Sequence, residues 1–481
     1  MGAWREPREH ASKAAGRVAG LHGGRLRLLG TIAESVGVQG PTGGVVIAAG
    51  VLAGVSGGGT ALVQLVAAVA MGFVAYAFVI FTRGFNSAGS VYAFTGSVVG
   101  ARYGFLTAWT LLLVYVSFAG GICIATAAAA SAGFDGLGLH LPWQPYAVIA
   151  YVLVMTLVFL DIKVSARIIL GLEAVSMLLV LVVCGVIVTK GGSHGHILGP
   201  EPLLTNGVPL SVLGLGVVLS FSTFSGFEAA STLGEEAQRP QHLIPLAIAS
   251  SLGAVAAFTI VVTAIVTNAF PSAGELSRDP APLVSLANTH VAGWVGELVS
   301  IGATISLFGA ALACVVGASR ILFALGRDTG PAMLSRTTRA GAPGVALLWV
   351  GAGSLLTLLL FIRDESATRA VGISLGYGAD LIIVAYILVL AAAIIYTIRL
   401  RSRWLRTAIL VAGLAILGYV VKVTFVPLPP APFRNDALAA ITTLVVGALL
   451  PTLSPTVRRG IQNSPLLAAG VDALLRRGPR P

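Results

Sequence analysis

The sequence predicts an all-α integral membrane protein whose chain crosses the bilayer twelve times. Of its 481 residues, 56% are hydrophobic and only 10% are charged, whereas soluble domains carry about 25% charged residues. The mean hydropathy is +0.92. The chain also contains 59 glycines, which membrane helices use to pack closely and to break locally. This composition excludes a soluble enzyme, a disordered chain and a nucleic-acid-binding protein.

Twelve uninterrupted apolar runs are the expected spanning helices, because one crossing of the hydrocarbon core needs about 20 apolar residues. The run 61–82 contains no charged residue, which only a spanning helix explains simply. The expected helices, numbered 1 to 12, cover about 31–58, 61–82, 103–130, 145–161, 166–189, 208–233, 244–270, 292–325, 343–362, 370–397, 404–426 and 437–454. The short connections leave no room for a large soluble domain.

Positive charge is distributed asymmetrically about these runs. With the N-terminus placed in the cytoplasm, Lys and Arg concentrate in the cytoplasmic segments, as the positive-inside rule requires. The exceptions are Lys190, Arg278, Arg363, Arg369, Lys422 and Arg434. We therefore expect a multi-pass protein of the cell membrane with both termini in the cytoplasm, and the net charge of +11 needs no nucleic-acid partner. The first 27 residues lack the apolar region of a signal peptide, so no cleavage is expected.

Cysteine and histidine do not indicate a metal site. Cys123, Cys184 and Cys314 lie in apolar runs without disulfide or metal spacing, which is typical of small packing residues. His194 and His196 belong to a polar SHGH loop, which is more typical of a solvated surface than of a metal centre. No metal or other cofactor is expected.

Two apolar runs contain residues that interrupt helices. Helix 1 includes SVGVQGPTGGVV, where Gly40, Pro41, Gly43 and Gly44 cluster, and helix 6 includes VLSFSTFSGFEAA. Pro removes a backbone donor, and Gly and Ser let the backbone leave the helix. Taken singly, the first is equally a Pro kink used for packing and the second a Ser-rich helix contact. Helices 1 and 6 hold matching positions in two five-helix halves, however, and paired interruptions indicate a transporter site near the bilayer centre.

Three segments resemble the amino acid–polyamine–organocation (APC) permeases. Helix 6 and its loop, FSTFSGFEAASTLGEEAQRPQHLIPLAI, are similar to the family's aromatic-Gly-Phe-Glu signature with the Ile-Pro-x-Ala-Ile that follows it. The end of helix 8, ASRILFALGRDTGPAMLSR, resembles the family's Arg-x-x-Tyr/Phe-Ala-x-x-Arg-Asp-Gly stretch. FNSAGSVYAFTGSVVGARYGFLTAW resembles the segment between helices 2 and 3, with Asn86 where Pro is usual.

The resemblance implies the leucine-transporter fold, a five-plus-five inverted repeat with helices 1 and 6 broken. The expected domains are an N-terminal cytoplasmic tail at 1–30, a ten-helix transport core at 31–400 with repeats at about 31–190 and 208–397, helices 11 and 12 at 401–455, and a C-terminal cytoplasmic tail at 456–481. The resemblance also implies alternating access and a small-molecule substrate, either an amino acid or a related amine. Coupling to protons, to sodium or to a counter-substrate remains open, as does the oligomeric state.

An amino acid is a zwitterion, so its site needs donors for a carboxylate beside acceptors for an ammonium. The second half of helix 1 begins near Pro41, and the N–H groups and positive dipole end at Thr42, Gly43 and Gly44 suit the carboxylate. The carbonyl groups freed at the two breaks would accept from the ammonium; they belong to Val38, Gln39, Phe221, Ser222 and Ser225. The side-chain pocket would be shaped by residues that are otherwise ordinary packing, namely Tyr115, Phe221, Thr223, Phe224, Phe227 and Tyr377. A neutral substrate is expected, because Glu228 is the only charge nearby.

Carboxyl groups inside apolar runs are functional candidates by default. Glu173, Glu228 and Asp380 are of this kind, and desolvation favours their protonated form, which suits proton carriage. For Glu228, just after the helix 6 break, the favoured alternative is a structural role in holding freed backbone groups. In some proton-coupled members of the family a lysine on helix 5 fills a sodium position, and here that position falls near Ser176. We expect the coupling ion to be a proton, with Glu173 as the substitute one turn earlier.

Charged residues at the cytoplasmic ends of helices 2, 3, 6 and 8 form a candidate gate, with ordinary interfacial charge as the alternative. They are Arg83, Arg102, Glu235, Glu236, Arg320, Arg327 and Asp328.

Other classes of protein fit less well. GVSGG at 54–58 matches the Gly-x-Ser-x-Gly nucleophile motif in letters alone, since that motif needs a strand–turn–helix context. A channel filter usually arises from a ring of subunits, whereas two matched halves are expected here. The function implied is secondary active transport of amino acids or related amines, by proton symport or alternatively by exchange.

Overall fold

The computed structural model describes residues 28–84, 90–136, 138–160, 166–191, 199–205, 207–233, 237–329, 333–336 and 343–463. None of these residues forms a β-strand. The α-helices are α1 (Leu28–Gln39), α2 (Pro41–Ser56), α3 (Thr60–Gly84), α4 (Ser90–Val99), α5 (Ala101–Gly136), α6 (Trp143–Phe159), α7 (Ala166–Lys190), α8 (Leu210–Phe224), α9 (Pro240–Ala269), α10 (Ala273–Arg278), α11 (Pro282–His290), α12 (Gly293–Thr329), α13 (Gly344–Phe361), α14 (Ala367–Arg399), α15 (Trp404–Phe425), α16 (Phe433–Leu453) and α17 (Pro455–Asn463). Short 3₁₀ helices cover Glu201–Leu203 and Phe227–Leu233.

Every predicted apolar run contains a helix, and most helix ends fall within a few residues of the expected bounds. Within the described residues, ten helices are long and apolar enough to cross a membrane, with α1 and α2 counted as one span. The other two runs correspond to α6 and α8, which are shorter apolar helices. The all-α membrane fold is therefore confirmed, whereas the number of twelve crossings and the inverted repeat stay predictions.

Long helices in the centre of the molecule position the remaining ones. Helices α5 and α12 pack against each other over much of their length, and α14 packs against α5. Peripheral helices expose large apolar side chains, among them Leu178 on α7 at 62% and Leu360 on α13 at 66%. Apolar side chains exposed in this number suit a lipid environment.

Hydrogen bonds between side chains and neighbouring helices fix the packing near the membrane-spanning core. Thr60 Oγ1 and Thr267 Oγ1 lie 2.6 Å apart and join α3 to α9. Trp109 Nε1 on α5 donates to the Thr443 carbonyl at 3.1 Å. Tyr377 OH on α14 and Thr443 Oγ1 on α16 lie 2.8 Å apart. These contacts set the register between α5, α14 and α16.

Candidate functional site

The first apolar run is interrupted at Gly40, between α1 and α2. Gly40 has φ +51°, a left-handed conformation that glycine adopts without the penalty other residues incur. The N–H of Gly40 still donates to the Val36 carbonyl at 3.0 Å, and the N–H of Gly44 to the Gly40 carbonyl at 2.9 Å. The N–H groups of Thr42 and Gly43, which lie between these two residues, do not donate to the carbonyl groups of the preceding turn.

Those two N–H groups bind side chains from other helices. Thr42 N–H donates to Glu173 Oε1 of α7 at 2.8 Å, and Gly43 N–H donates to Ser306 Oγ of α12 at 3.2 Å. Ser306 Oγ in turn donates to Glu173 Oε1 at 3.1 Å. From the sequence, these N–H groups were expected to bind a substrate carboxylate. In this conformation the carboxyl group of Glu173 lies in that place, at the positive end of α2. Glu173 is 6% exposed.

Glycine at position 43 allows α2 to pack closely against α12, in addition to any approach of a ligand. A Cβ there would overlap the Leu307 side chain of α12 and would lie 2.9 Å from the Ala303 carbonyl oxygen. A Cβ on Gly44 would meet only Thr223 Cγ2, at 3.8 Å. Gly44 is thus the position where the backbone of α2 faces open space.

The sixth apolar run is interrupted after α8. Ser225 is extended, with φ −60° and ψ 142°, and Gly226 has φ +109° before the 3₁₀ helix that starts at Phe227. A Cβ on Gly226 would lie 2.5 Å from Val38 Cγ1, so glycine is required both by the backbone and by the close approach to α1. The Phe221 carbonyl, expected to be free, accepts the Ser225 N–H at 2.9 Å.

Glu228 holds this second break together. Its Oε2 accepts the Gly226 N–H at 3.0 Å and the Tyr386 hydroxyl at 3.1 Å, and its Oε1 accepts the Tyr115 hydroxyl at 3.0 Å. The carboxyl group is 2% exposed. Three donors from three segments surround it, which is the arrangement expected of a structural cap.

The two breaks are also tied directly to each other. Ser35 Oγ donates to the Phe227 carbonyl at 2.9 Å and accepts the Ala230 N–H at 3.2 Å. Gln39 Nε2 donates to the Phe224 carbonyl at 3.2 Å. Side chains of α1 thereby bind a carbonyl at the C-terminal end of α8 and two backbone groups of the 3₁₀ helix Phe227–Leu233.

A cavity of about 80 Å³ lies between the two breaks. Seven predicted residues line it: Val38, Gln39, Gly43, Gly44, Ser222, Thr223 and Ser225. Sequence reasoning missed the apolar part of the wall, formed by Ile47, Ala48, Val51, Leu52, Phe118, Ile122, Ala125, Leu219, Leu307, Ala310, Val371, Gly372 and Leu375. No local signal marks these positions, because they are apolar or small residues like their neighbours. No charged side chain is among the described residues that line the cavity.

The other predicted pocket residues lie outside this cavity wall. Pro41 and Thr42 belong to the first turn of α2, and Phe221, Phe224 and Phe227 are fully buried. The Tyr115 hydroxyl binds Glu228, and the Tyr377 hydroxyl binds Thr443. In this conformation the aromatic residues therefore act as packing, the alternative that the sequence left open for each.

The remaining coupling and gate candidates are spread over the molecule. Ser176 packs against Gly302 of α12. A Cβ on Gly302 would lie 2.9 Å from the Oγ of Ser176. Asp380 is buried in α14. Arg83, Arg102, Arg320 and Arg327 are exposed. Glu235, Glu236 and the Asp328 side chain lie outside the described residues, so the gate stays a prediction.

Many spanning helices around a small cavity between two interrupted helices are the features of a multi-pass membrane transporter. A family model described as amino acid permease matches residues 29–449. The chain belongs to this amino acid permease family, within the APC superfamily.

Individual relatives agree with this assignment. The chain is 28% identical over 347 residues to the branched-chain amino acid permease of Bacillus subtilis (strain 168), which covers 67% of this chain and 72% of that protein. It is 28% identical over 294 residues to the vacuolar cationic amino acid transporter 2 of Arabidopsis thaliana, or 57% of this chain and 45% of that protein. It is 25% identical over 308 residues to the methylthioribose transporter of Bacillus subtilis (strain 168). This match covers 59% of this chain and 63% of that protein. The family and these relatives are transporters rather than enzymes.

Proposed function

We propose that this protein is a secondary active transporter that moves a neutral amino acid across the cell membrane by alternating access, coupled to protons as a symporter. The observation that carries the proposal is the cavity between the breaks after Gln39 and after Phe224, whose wall combines polar backbone with aliphatic side chains. Both termini would be cytoplasmic, as the positive-inside distribution indicates.

Acceptors for a substrate ammonium are available at this cavity. The usual helical donors to the Val38 and Gln39 carbonyls are the N–H groups of Thr42 and Gly43, which bind Glu173 and Ser306 instead. Gln39 Oε1 is buried and has no hydrogen-bond partner among the described residues. A buried acceptor left without a donor is costly, and an ammonium group would satisfy it.

The rest of the wall favours an uncharged, aliphatic side chain. Residues such as Ile47, Ile122 and Leu219 offer no partner for a charge. The branched-chain amino acid permease among the relatives supports the same substrate class. About 80 Å³ is the room of roughly two to three water molecules, so a substrate with a large side chain requires the surrounding helices to move apart.

Glu173 is the group we propose to carry the coupled proton. As a carboxylate it accepts hydrogen bonds from Thr42 and Ser306 and thereby joins α2, α7 and α12. Protonation removes negative charge from the positive end of α2 and weakens that junction. The N–H groups of α2 would then become available to the carboxylate of the substrate.

Uptake into proteoliposomes tests both parts of the proposal. The purified protein should accumulate a neutral amino acid when an inward proton gradient is imposed, and a protonophore should abolish accumulation. Glu173→Gln should lose gradient-driven accumulation while still exchanging substrate down its concentration gradient. The matched control is Thr189→Ala, an exposed position without a titratable group on the same helix, which should keep gradient dependence.

The outcomes separate transport from coupling. Unchanged gradient dependence in Glu173→Gln contradicts the role of this residue. Uptake that ignores the gradient but needs a counter-substrate inside the vesicles identifies an exchanger instead. Absence of net uptake and of exchange for every amino acid contradicts the proposed substrate class.

A further inference from the structure

A groove of about 690 Å³ lies where several membrane helices end, and it shares no lining residue with the cavity between the two breaks. We call it the α5–α16 groove. The end of α4, the start of α5, the last turns of α16 and α17 form its wall, with Val99, Arg102, Leu106, Ala448 and Ile461 among the lining residues. Arg102 is the one charged side chain among the described residues of this wall, which is otherwise mostly apolar.

The groove extends from the membrane boundary into the apolar layer. Helix α16 has 21 residues, and at 1.5 Å per residue its length of about 31 Å matches the hydrocarbon core of about 30 Å. Ala448 precedes the end of α16 by more than one turn, and Leu106 follows the start of α5 by the same distance, whereas Arg102 is the second residue of α5. The wall is therefore apolar at membrane depth and charged at the surface.

Hydrogen bonds fix the helices that form this wall. The Tyr103 hydroxyl of α5 donates to the Leu388 carbonyl of α14 at 3.0 Å. Arg458 of α17 donates to the Pro451 and Thr452 carbonyls at the end of α16, so α17 is held against the last turn of the preceding helix. The groove is thus bounded by elements that are joined to one another.

Unpaired positive charge surrounds the charged end of the groove. Arg399 Nη1 at the end of α14 donates to the Val98 carbonyl at 2.7 Å, next to Val99 of the wall. The turn that follows α14 carries three more arginines, Arg401, Arg403 and Arg406. These four arginines and Arg102 are exposed, and none of them forms an ion pair with a described residue.

The same turn carries a marker of the membrane surface. Trp404, the first residue of α15, is 79% exposed, and Leu405 is 55% exposed. Tryptophan at the end of a spanning helix is typical of the headgroup level of a bilayer. The arginines at 399–406 therefore lie at the depth of lipid phosphates, on the side that the positive-inside distribution assigns to the cytoplasm.

A ligand of this groove needs a negative group for the arginines and an apolar chain for the deeper wall. A soluble phosphate compound supplies only the first, and a zwitterionic lipid brings a positive group that the arginines repel. Basic pockets between membrane helices on the cytoplasmic side suit anionic lipid headgroups. An anionic phospholipid satisfies both ends of the groove.

We propose that the α5–α16 groove binds one anionic phospholipid of the cytoplasmic leaflet. Its phosphate would lie at Arg102 and Arg399, and an acyl chain would lie along Leu106 and Ala448. The site is separate from the proposed substrate cavity and does not depend on the proposed substrate or coupling ion.

Native mass spectrometry of the full-length protein in detergent tests the site. The protein is titrated with phosphatidylglycerol and with phosphatidylcholine of the same acyl chains. The first phosphatidylglycerol should bind more tightly than the first phosphatidylcholine. Arg102→Gln should weaken phosphatidylglycerol about fivefold, since one basic residue near anionic lipid contributes about 1 kcal/mol, and should leave phosphatidylcholine unchanged.

A second variant tests the shape of the groove without a change of charge. Ala448→Phe places a ring in the groove at an exposed position and should remove the tight phosphatidylglycerol. Each variant has a matched control outside the groove. Arg239→Gln removes another exposed arginine, and Ala439→Phe changes another exposed alanine of α16. Both controls should bind phosphatidylglycerol like the wild type.

Each result decides the proposal. Equal affinity for the two lipids, or equal effects of a groove variant and its control, would show only general attraction to the basic surface and overturn the site. Competition by soluble glycerol phosphate would assign it to a soluble compound. A stable dimer that Ala448→Phe dissociates would assign the groove to a second copy of the chain. Tight lipid binding only in a protein that ends at Asn463 would assign it to the segment 464–481.

Discussion

Glu228 shows how one buried carboxyl group can organise a break in a membrane helix. Its two oxygens accept from a backbone N–H and two tyrosine hydroxyls. The motif around it is visible in the sequence, but its partners Tyr115 and Tyr386 are distant in the chain. Their assignment requires three-dimensional contacts that no local pattern encodes.

The structural role of Glu228 predicts a difference between two substitutions. Glu228→Gln should cost less than about 1 kcal/mol, because the amide oxygen can keep the Gly226 N–H while the amide nitrogen donates to the Tyr115 hydroxyl. Glu228→Ala should cost about 3 kcal/mol or more, since it leaves a buried N–H unpaired and opens a cavity. Thermal unfolding in detergent measures both, and uptake by Glu228→Gln should still respond to a proton gradient. A Gln variant that has lost this response would show that Glu228 carries the proton.

Gly226 combines a left-handed backbone with a close contact to Val38, so Gly226→Ala should be strongly destabilising. The backbone strain alone is of order 1–3 kcal/mol, and the overlap of the new methyl group with Val38 adds to it. Gly253→Ala is the control, because this helical glycine has no atom within 4 Å of its Cβ position. The control should be neutral or slightly stabilising. Equal melting temperatures for the two variants would contradict the argument.

At the scale of elements, one hydroxyl group, that of Ser35, joins α1 to the 3₁₀ helix Phe227–Leu233 through two hydrogen bonds. Ser35→Ala removes the hydrogen bonds of this hydroxyl to the Phe227 carbonyl and the Ala230 N–H, which should cost about 0.5–1.5 kcal/mol for each bond. Thermal unfolding measures the loss. Thr156→Ala is the matched control, since its exposed hydroxyl binds a carbonyl of its own helix. A Ser35→Ala protein as stable as this control would show that the contact contributes little.

Hydropathy predicted the long elements well because each must present about 20 apolar residues to the bilayer. The short helices α4, α10, α11 and α17 carry no such constraint and were not predicted. The buried carboxyl group of Asp436 was missed for a related reason. The predicted twelfth run started at residue 437, just after it, whereas α16 starts at Phe433. The polar first turn of a spanning helix is invisible to a search for apolar runs.

For the site, sequence predicted where the breaks lie but not which groups already occupy them. Glu173 and Thr42 are 131 residues apart in the chain, and only packing of α7 against α2 brings them together. The same holds for Leu307 and Phe118 in the cavity wall, which belong to different helices and share no motif.

At the scale of the whole molecule, a ligand in the cavity should stabilise the entire fold, because its wall includes α1, α2, α5, α8, α12 and α14. A ligand at about 100 times its dissociation constant adds about 2.7 kcal/mol to the unfolding free energy. A thermal-shift screen of the purified protein against the twenty amino acids and common polyamines should therefore give its largest shift with a neutral aliphatic amino acid.

Gly44→Ala is the variant that links this shift to the cavity. Its methyl group would enter the open space beside Thr223, and a misfit of this size is worth about 1–3 kcal/mol of binding. The melting temperature without ligand should stay the same or rise slightly, whereas the ligand-induced shift should shrink. A full shift in Gly44→Ala would place the ligand elsewhere.

Helix α12 presents consecutive residues to two different neighbours. Ser306 binds both Glu173 and the Gly43 N–H, while Leu307 and Ala310 line the cavity. A ligand that displaces Leu307 also moves Ser306, because the two residues share one turn of helix. Binding of the ligand would then change the proton affinity of Glu173. Thermodynamic reciprocity requires that protonation of Glu173 changes the affinity for the ligand by the same factor. The size of that mutual effect depends on the rigidity of this single helical turn.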